Sequence, residues 1–171
     1  YIVFQTMFTN EWVYMLLKVE EPGNLDSYNW TQLGDQVQKE SQKADERPRV
    51  AGVYINRLKR KMKLQADPTI IYALKLEYKN FDTIIKRVLY KDLKVKSPFN
   101  TYLKSGLPPG PITMPDLSAI EAVLNYERHN FLYFVANPNQ PGYHLFATNG
   151  RSHERNKKVY TNWLNRNRVY R

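Results

Sequence analysis

The 171-residue chain holds 26 basic and 16 acidic residues, a net charge of +10, with 42% hydrophobic and 25% charged residues. These proportions exclude a disordered or fibrous chain and leave room for one sizeable core, so a single domain over residues 1–171 is expected. The lack of cysteine excludes disulfides, thiol catalysis and cysteine-based metal sites, and no apolar run reaches the ~18 residues of a membrane span.

Residues 1–20 carry Phe4, Phe8, Trp12, Met15, Leu16 and Val19 at helical spacing before the stop Glu21-Pro22-Gly23, which predicts an amphipathic helix. A second helix starts near Asn29, capped by Ser27 or Asn29, and carries Trp30, Leu33, Val37, Glu40 and Ala44 on one line. At roughly 100° per residue those five side chains fall within an arc of about 80°. The polar residues Asp35, Gln36, Gln38 and Lys39 lie off that stripe. Asp45-Glu46-Arg47-Pro48 begins a new helix, with proline in its first turn and acids at the end that favours them. It buries Val50, Tyr54 and Leu58 and leaves Arg57, Lys59, Arg60 and Lys61 toward its C-terminal end.

Asp67-Pro68-Thr69 then reads as a cap followed by proline at the first helical position, leading a helix through Ile70, Ile71, Ala73 and Leu74. A short helix over Ile84 to Leu89, capped by Asp82, is expected next. Residues 97–115 hold five prolines and two glycines, which predicts an ordered irregular loop or binding surface; a linker is the bland alternative, disfavoured by Phe99, Tyr102, Leu107 and Ile112. A helix from Asp116 to Asn125 precedes the strands Phe131–Ala136 and Tyr143–Ala147, an antiparallel hairpin across Asn137-Pro138-Asn139-Gln140-Pro141-Gly142. Thr148 or Ser152 caps a closing helix. The expected class is α+β: a mainly helical domain with a C-terminal antiparallel hairpin and closing helix.

The three histidines, His129, His144 and His153, lie far apart without metal-ligand spacing, no Gly-x-Ser-x-Gly elbow is present, and Gly106 to Gly110 holds too many prolines to cradle a phosphate. No metal and no cofactor are expected. What remains is carboxylate chemistry among amides, hydroxyls and aromatics, a set suited to glycosidic bonds. Glu40 is the acid to single out, because a carboxylate on a core-facing stripe is desolvated and its pKa rises, the state a general acid needs near neutral pH.

The runs Val50-Ala51-Gly52-Val53-Tyr54-Ile55-Asn56-Arg57-Leu58, Leu64-Gln65-Ala66-Asp67-Pro68-Thr69, Ser97-Pro98-Phe99-Asn100-Thr101-Tyr102 and Gly106-Leu107-Pro108-Pro109-Gly110-Pro111-Ile112 stand in the order and spacing of one family. The chain resembles the endolytic murein transglycosylases of the YceG-like (MltG) family over roughly Leu33 to Tyr160. The resemblance implies cleavage of the β-1,4 bond between N-acetylmuramic acid and N-acetylglucosamine in peptidoglycan, without water, leaving a 1,6-anhydromuramic end. It places the catalytic glutamate on Glu40, acting as acid and then as base. It also implies a site at the outer, periplasmic face of the cytoplasmic membrane and cell-wall synthases as partners. An N-terminal membrane helix and a LysM-like module go with the family; neither is visible, so the chain reads as a fragment of a longer anchored protein.

The remaining candidates are weighed against structural roles. Asn56 can hold an acetamido group or orient Glu40, or be a structural amide. Gln65 is favoured for substrate contact and Asp67 for a cap. Asn100, Thr101 and Tyr102 can line a sugar cleft, with a turn held by Asn100 as the alternative. His144 and His153 can donate to carbohydrate oxygens. Glu46 is assigned first to helix-start electrostatics. Two other classes stay open: a nucleic-acid-binding domain, from the charge and thirteen tyrosines, though no recognised binding motif is present and no nucleic acid is expected; and a peptidoglycan-binding module without catalysis.

Overall fold

The computed structural model describes the backbone of residues 2–8 and 11–17 and all of residues 30–169. Five α-helices and two separate antiparallel hairpins make an α+β, mainly helical architecture. The N-terminal stretch is a hairpin and not the expected helix: β1 (Ile2–Phe8) pairs with β2 (Glu11–Leu17) in a register running from Ile2 opposite Leu17 to Phe8 opposite Glu11. Its apolar residues fit a helical period, but Ile2, Val3, Thr6, Trp12, Val13 and Tyr14 are β-branched or aromatic, types that lose rotamer freedom in a helix and fit a pleated surface. The expected stop at residues 21–23 and the caps Ser27 and Asn29 lie outside the described residues.

The core is built by α1 (Trp30–Glu40), α2 (Arg47–Lys59), α3 (Asp67–Tyr78) and α4 (Leu117–Leu124). Leu33, Val37, Val50, Ala51, Tyr54, Ile55, Leu64, Ala66 and Val123 form one buried cluster, with Trp30, Leu58, Leu107, Tyr126, Phe134 and Phe146 packed against it. Each fully buried aliphatic side chain contributes roughly 1.5–3 kcal/mol.

α1 is buried on more than its apolar stripe. Asp35 and Gln36, off that stripe, are fully buried, because α4 and the proline-rich loop cover that side. Asp35 Oδ2 accepts the N–H of Ile112 at 2.5 Å, and Gln38 Oε1 accepts the N–H of Asp116 at 2.6 Å, so α1's polar residues fasten the C-terminal end of the loop. Burial lifts the Asp35 carboxyl to about 7 against the backbone amides and Lys39 that lower it. Ala44 drops off the stripe, since α1 ends at Glu40 and Ala44 lies exposed in the following turn.

α2 carries a glycine where close approach requires one. A Cβ at Gly52 would collide with the carbonyl oxygen of Glu127 and meet His129 Nε2 at 2.7 Å. The segment 127–131 lies there, held by Glu127 N–H to Pro48 O, His129 Nε2 to Arg49 O at 2.9 Å, and the Asn56 amide to the carbonyls of His129 and Phe131 at 2.7 and 3.1 Å. It leads into β3 (Tyr133–Ala136), which pairs antiparallel with β4 (His144–Ala147) from Tyr133 opposite Ala147 to Ala136 opposite His144.

The closing helix α5 (Gly150–Arg166) packs on that hairpin; its cap is Asn149, whose side chain accepts the Ser152 N–H, and neither Thr148 nor Ser152. Asp116 caps α4 through the Ala119 N–H. The helix expected over Ile84 to Leu89 is absent: Asp82 N–H is taken by Asn80, Ile84 is 80% exposed, and the nearest helical turn is a single 3-10 turn at Asp92–Lys94. A segment this short, with Ile84 left to solvent, does not meet the cost of helix nucleation.

Candidate active site

Glu40 is the last residue of α1, half-buried at a corner where three helix ends and one loop meet. α2 contributes Tyr54 and Arg57, three residues apart and so on one face; α3 contributes its first residue, Asp67; the irregular loop contributes Tyr102. Tyr54, fully buried, donates its hydroxyl to Glu40 Oε1 at 2.9 Å. Tyr102 donates its own to Asp67 Oδ1 at 2.5 Å.

The corner keeps a proton on Glu40. Burial, followed by the like charge of Asp67, lifts its carboxyl to about 8, against the Tyr54 hydroxyl, the Arg57 charge and the Asp67 backbone amide. The C-terminal end of α1 adds partial negative charge at the same place. Asp67 is itself raised by burial, opposed by its Tyr102 hydrogen bond and by Lys157. Asp67 is exposed at the first turn of α3, with its carboxylate engaged by Tyr102. Both tyrosine hydroxyls are pushed up by burial and the neighbouring carboxylates, so they remain donors.

Arg57 is not the exposed base expected from sequence. It is 6% exposed, with Nε donating to Leu132 O at 2.6 Å and Nη1 to Leu64 O at 2.7 Å, and its guanidinium lies 5.1 Å from the Tyr133 ring centre. Burial lowers its pKa and the surrounding tyrosines and Glu40 oppose this. A fixed cation thus ties α2 to β3 and to residues 63–65 while acting on Glu40 without an ion pair between them among the described residues. Beyond it, Tyr133 stacks on His153 of α5 at 5.0 Å and 21°, with Tyr160 and Trp163 stacked at 6.3 Å and 11° further along that helix. Burial lowers the His153 pKa, and its Nδ1 is buried without a partner. Flat rings of this kind offer apolar faces with polar edges.

The other candidates divide. Gln65, exposed beside the corner, sits in the left-handed region at φ 50°, with its N–H donating to Thr101 O at 3.2 Å and its Oε1 3.5 Å from Arg57 Nη1. Strain of this sort collects at functional sites. Asp67 is not a cap: it follows the N-cap Ala66, and its carboxylate is engaged by Tyr102. Asn100 is fully buried and holds a turn, donating to Leu93 O and Val95 O at 3.0 and 2.8 Å and accepting the Tyr102 N–H. Thr101, also buried, accepts the Ala66 N–H at 3.0 Å and meets Thr69 Oγ1 at 2.9 Å. Both therefore shape the loop that presents Tyr102 and spend their polar atoms doing so. The Asn56 amide is spent on His129 and Phe131, as described.

His144 and Glu46 form a separate pair. Glu46 accepts from the His144 backbone N–H at 2.9 Å, and its Oε2 meets His144 Nδ1 at 2.7 Å, the two side chains being 4% and 9% exposed. Glu46 makes no capping hydrogen bond at the start of α2. Tyr54, Arg57 and Asp67 are the site residues that sequence reasoning missed. In the sequence Tyr54 and Arg57 stand three residues apart, one as a core aromatic and one as a charge toward the helix C-terminal end.

A family model described as the YceG-like family matches residues 3–159. The chain belongs to the YceG-like family. Among curated relatives of this YceG-like domain, a protein of Bacillus subtilis named endolytic murein transglycosylase is 41% identical over 124 residues, 72% of this chain and 32% of that protein. A protein of the same name from Streptococcus pneumoniae is 37% identical over 126 residues, 74% of this chain and 22% of that one. The YceG-like domain thus spans a third or less of the curated relatives it matches. A crystal structure of a yceG-like protein from Listeria monocytogenes matches with a TM-score of 0.63 at 36% identity, over 74% of this chain and 38% of that one. No helix among the described residues is long and apolar enough to cross a membrane.

Proposed function

We propose that the domain is a lytic transglycosylase of peptidoglycan, cutting the β-1,4 bond between N-acetylmuramic acid and N-acetylglucosamine and leaving a 1,6-anhydromuramic end. The observation that carries the reading is Glu40: a desolvated carboxyl lifted to about 8, held by Tyr54 and faced by a second carboxylate. Its proton passes to the glycosidic oxygen as the bond to the anomeric carbon breaks, and the substrate's acetamido group supports the oxocarbenium-like centre. The carboxylate left behind takes the proton of the 6-hydroxyl as that oxygen closes on the anomeric carbon. Glu40 ends as it began, and no water is consumed. The α3 N-terminus and Arg57 favour the anion during the interval when Glu40 is ionised.

We assign sugar contact to Gln65, Tyr102 and His153 among the predicted site residues, with Tyr160 and Trp163 of α5 offering further ring surface. The names of the relatives support peptidoglycan as the polymer. A net charge of +10 suits a strand bearing lactyl and peptide carboxylates. The reaction is placed outside the cytoplasm, at the outer face of the membrane, where an anchored enzyme meets new strands and the synthases making them.

Digestion of purified peptidoglycan in ¹⁸O-labelled water, with the products read by mass spectrometry, tests this. Unlabelled anhydro ends are expected. Labelled reducing ends make the enzyme a hydrolase and remove the dual role given to Glu40.

A further inference from the structure

Away from Glu40, an open depression of about 750 Å³ lies between the C-terminal half of α3 and residues 91–98. Its floor is apolar, from Ala73, Leu74 and Val95, and Leu76 and Tyr78 on the same wall are 39% and 50% exposed. Lys91, Lys94 and Lys96 stand on the opposite side, all exposed. Among the described residues none of the three has an ion-pair partner. The acid between them, Asp92, is 5% exposed and accepts the Leu89 N–H at 2.8 Å, so the surface of this segment presents its cations. Glu77 supplies one exposed carboxylate across from them.

We propose that this depression is a subsite for the acidic stem peptide carried by the strand cut at Glu40; the proposal rests on the peptidoglycan reading above. The chemistry of such a stem is small methyl-bearing residues, a free α-carboxylate on a γ-linked glutamate, a diamino acid and a terminal carboxylate. The floor takes the methyl groups, the lysines take the carboxylates, and Glu77 takes an ammonium. The reach also agrees. Ala73 to Tyr78 lie roughly 9–17 Å along α3 from Asp67 at a rise of 1.5 Å per residue. An extended peptide of about five residues spans up to ~17 Å, so a stem hanging from a muramic residue near Glu40 arrives in the depression.

The experiment compares, with the full chain, glycan strands that keep their stems and the same strands stripped by an amidase. Wild type is expected to show a kcat/KM about tenfold higher on the peptide-bearing strands. The variant Lys91→Glu/Lys94→Glu/Lys96→Glu is expected to lose that advantage and keep its rate on stripped strands; the matching Lys→Gln series gives an intermediate result and guards against misfolding by charge reversal. Equal wild-type rates on the two strands, or a variant slowed on both alike, overturns the subsite. Titration with a free stem pentapeptide, followed by NMR, gives a second reading independent of turnover. Saturable, salt-weakened binding that the triple variant lacks supports the subsite, and no binding by wild type overturns it. Binding retained while neither strand is cut overturns the transglycosylase reading and supports the subsite.

Discussion

Glu40 and Glu46 lie six residues apart on either side of the α1–α2 junction, and the protein treats them in opposite ways. Glu46 is saturated: both oxygens are taken by His144, Ser41 Oγ lies 3.4 Å from Oε2, and the pair is sealed from solvent. Glu40, in a residue that is only half-buried, has one hydroxyl donor, a backbone amide, a distant guanidinium and an opposing carboxylate. A carboxylate whose hydrogen-bonding capacity is filled holds a fold together. One that is desolvated and left underpartnered keeps its proton to give away.

The contrast breaks most directly at Glu40 itself. Glu40→Gln should lower turnover by about 10²–10⁴-fold, the range for losing a general acid–base, while its thermal unfolding midpoint stays at or above that of wild type because a desolvated acid has been replaced by a neutral isostere. Full activity in that variant sinks the assignment. Glu46→Ala should do the reverse: removing one partner of a buried pair costs roughly 3–5 kcal/mol, read from denaturant unfolding, with the rate per folded molecule little changed.

A smaller effect is expected from Asn56→Ala, which leaves the carbonyls of His129 and Phe131 without their donor. About 1–3 kcal/mol of stability should go, and KM for glycan strands should not move; a raised KM at wild-type stability would return Asn56 to the substrate. The smallest effect sharpens Glu40's electrostatics. Asp67→Asn removes the like charge that helps lift Glu40. An acid must be protonated to act, so the alkaline limb of the pH–rate profile, expected near pH 8 in wild type, should move to lower pH, by on the order of one unit or less. A limb that stays in place shows that Asp67 does not act on Glu40.

The ordinary parts of the fold were legible because they rest on periodicity and punctuation. Leu33 and Val37 ended fully buried, Asp116 caps α4, and the strands around the Asn137 to Gly142 turn pair as expected. Glu40 was legible for the same reason, as a charge on an apolar line. What stayed hidden depends on which surface arrives from elsewhere in the chain. The burial of Asp35 and Gln36, off the apolar stripe, waits on α4 and residues 106–115 closing over them, and that of Arg57, in a basic helix end, on the carbonyls of Leu132 and residues 63–65. Asn100 and Thr101 were legible as a motif, with sugar contact and a turn held by Asn100 both open, since sequence shows that an amide and a hydroxyl are present and not whether backbone groups have already claimed them. The N-terminal hairpin shows the limit of periodicity, where residue type decides between two spacings that fit.

Gly52 carries a last consequence, for how mutational scans of this domain are to be read. Any side chain there displaces residues 127–129 from α2, two residues from Tyr54, the group that holds the acid. If the domain cuts peptidoglycan through Glu40 as proposed, a screen scoring that cleavage alone ranks Gly52 beside Glu40. A parallel screen of cellular abundance parts them: Glu40 variants accumulate as inert protein, and Gly52 variants disappear.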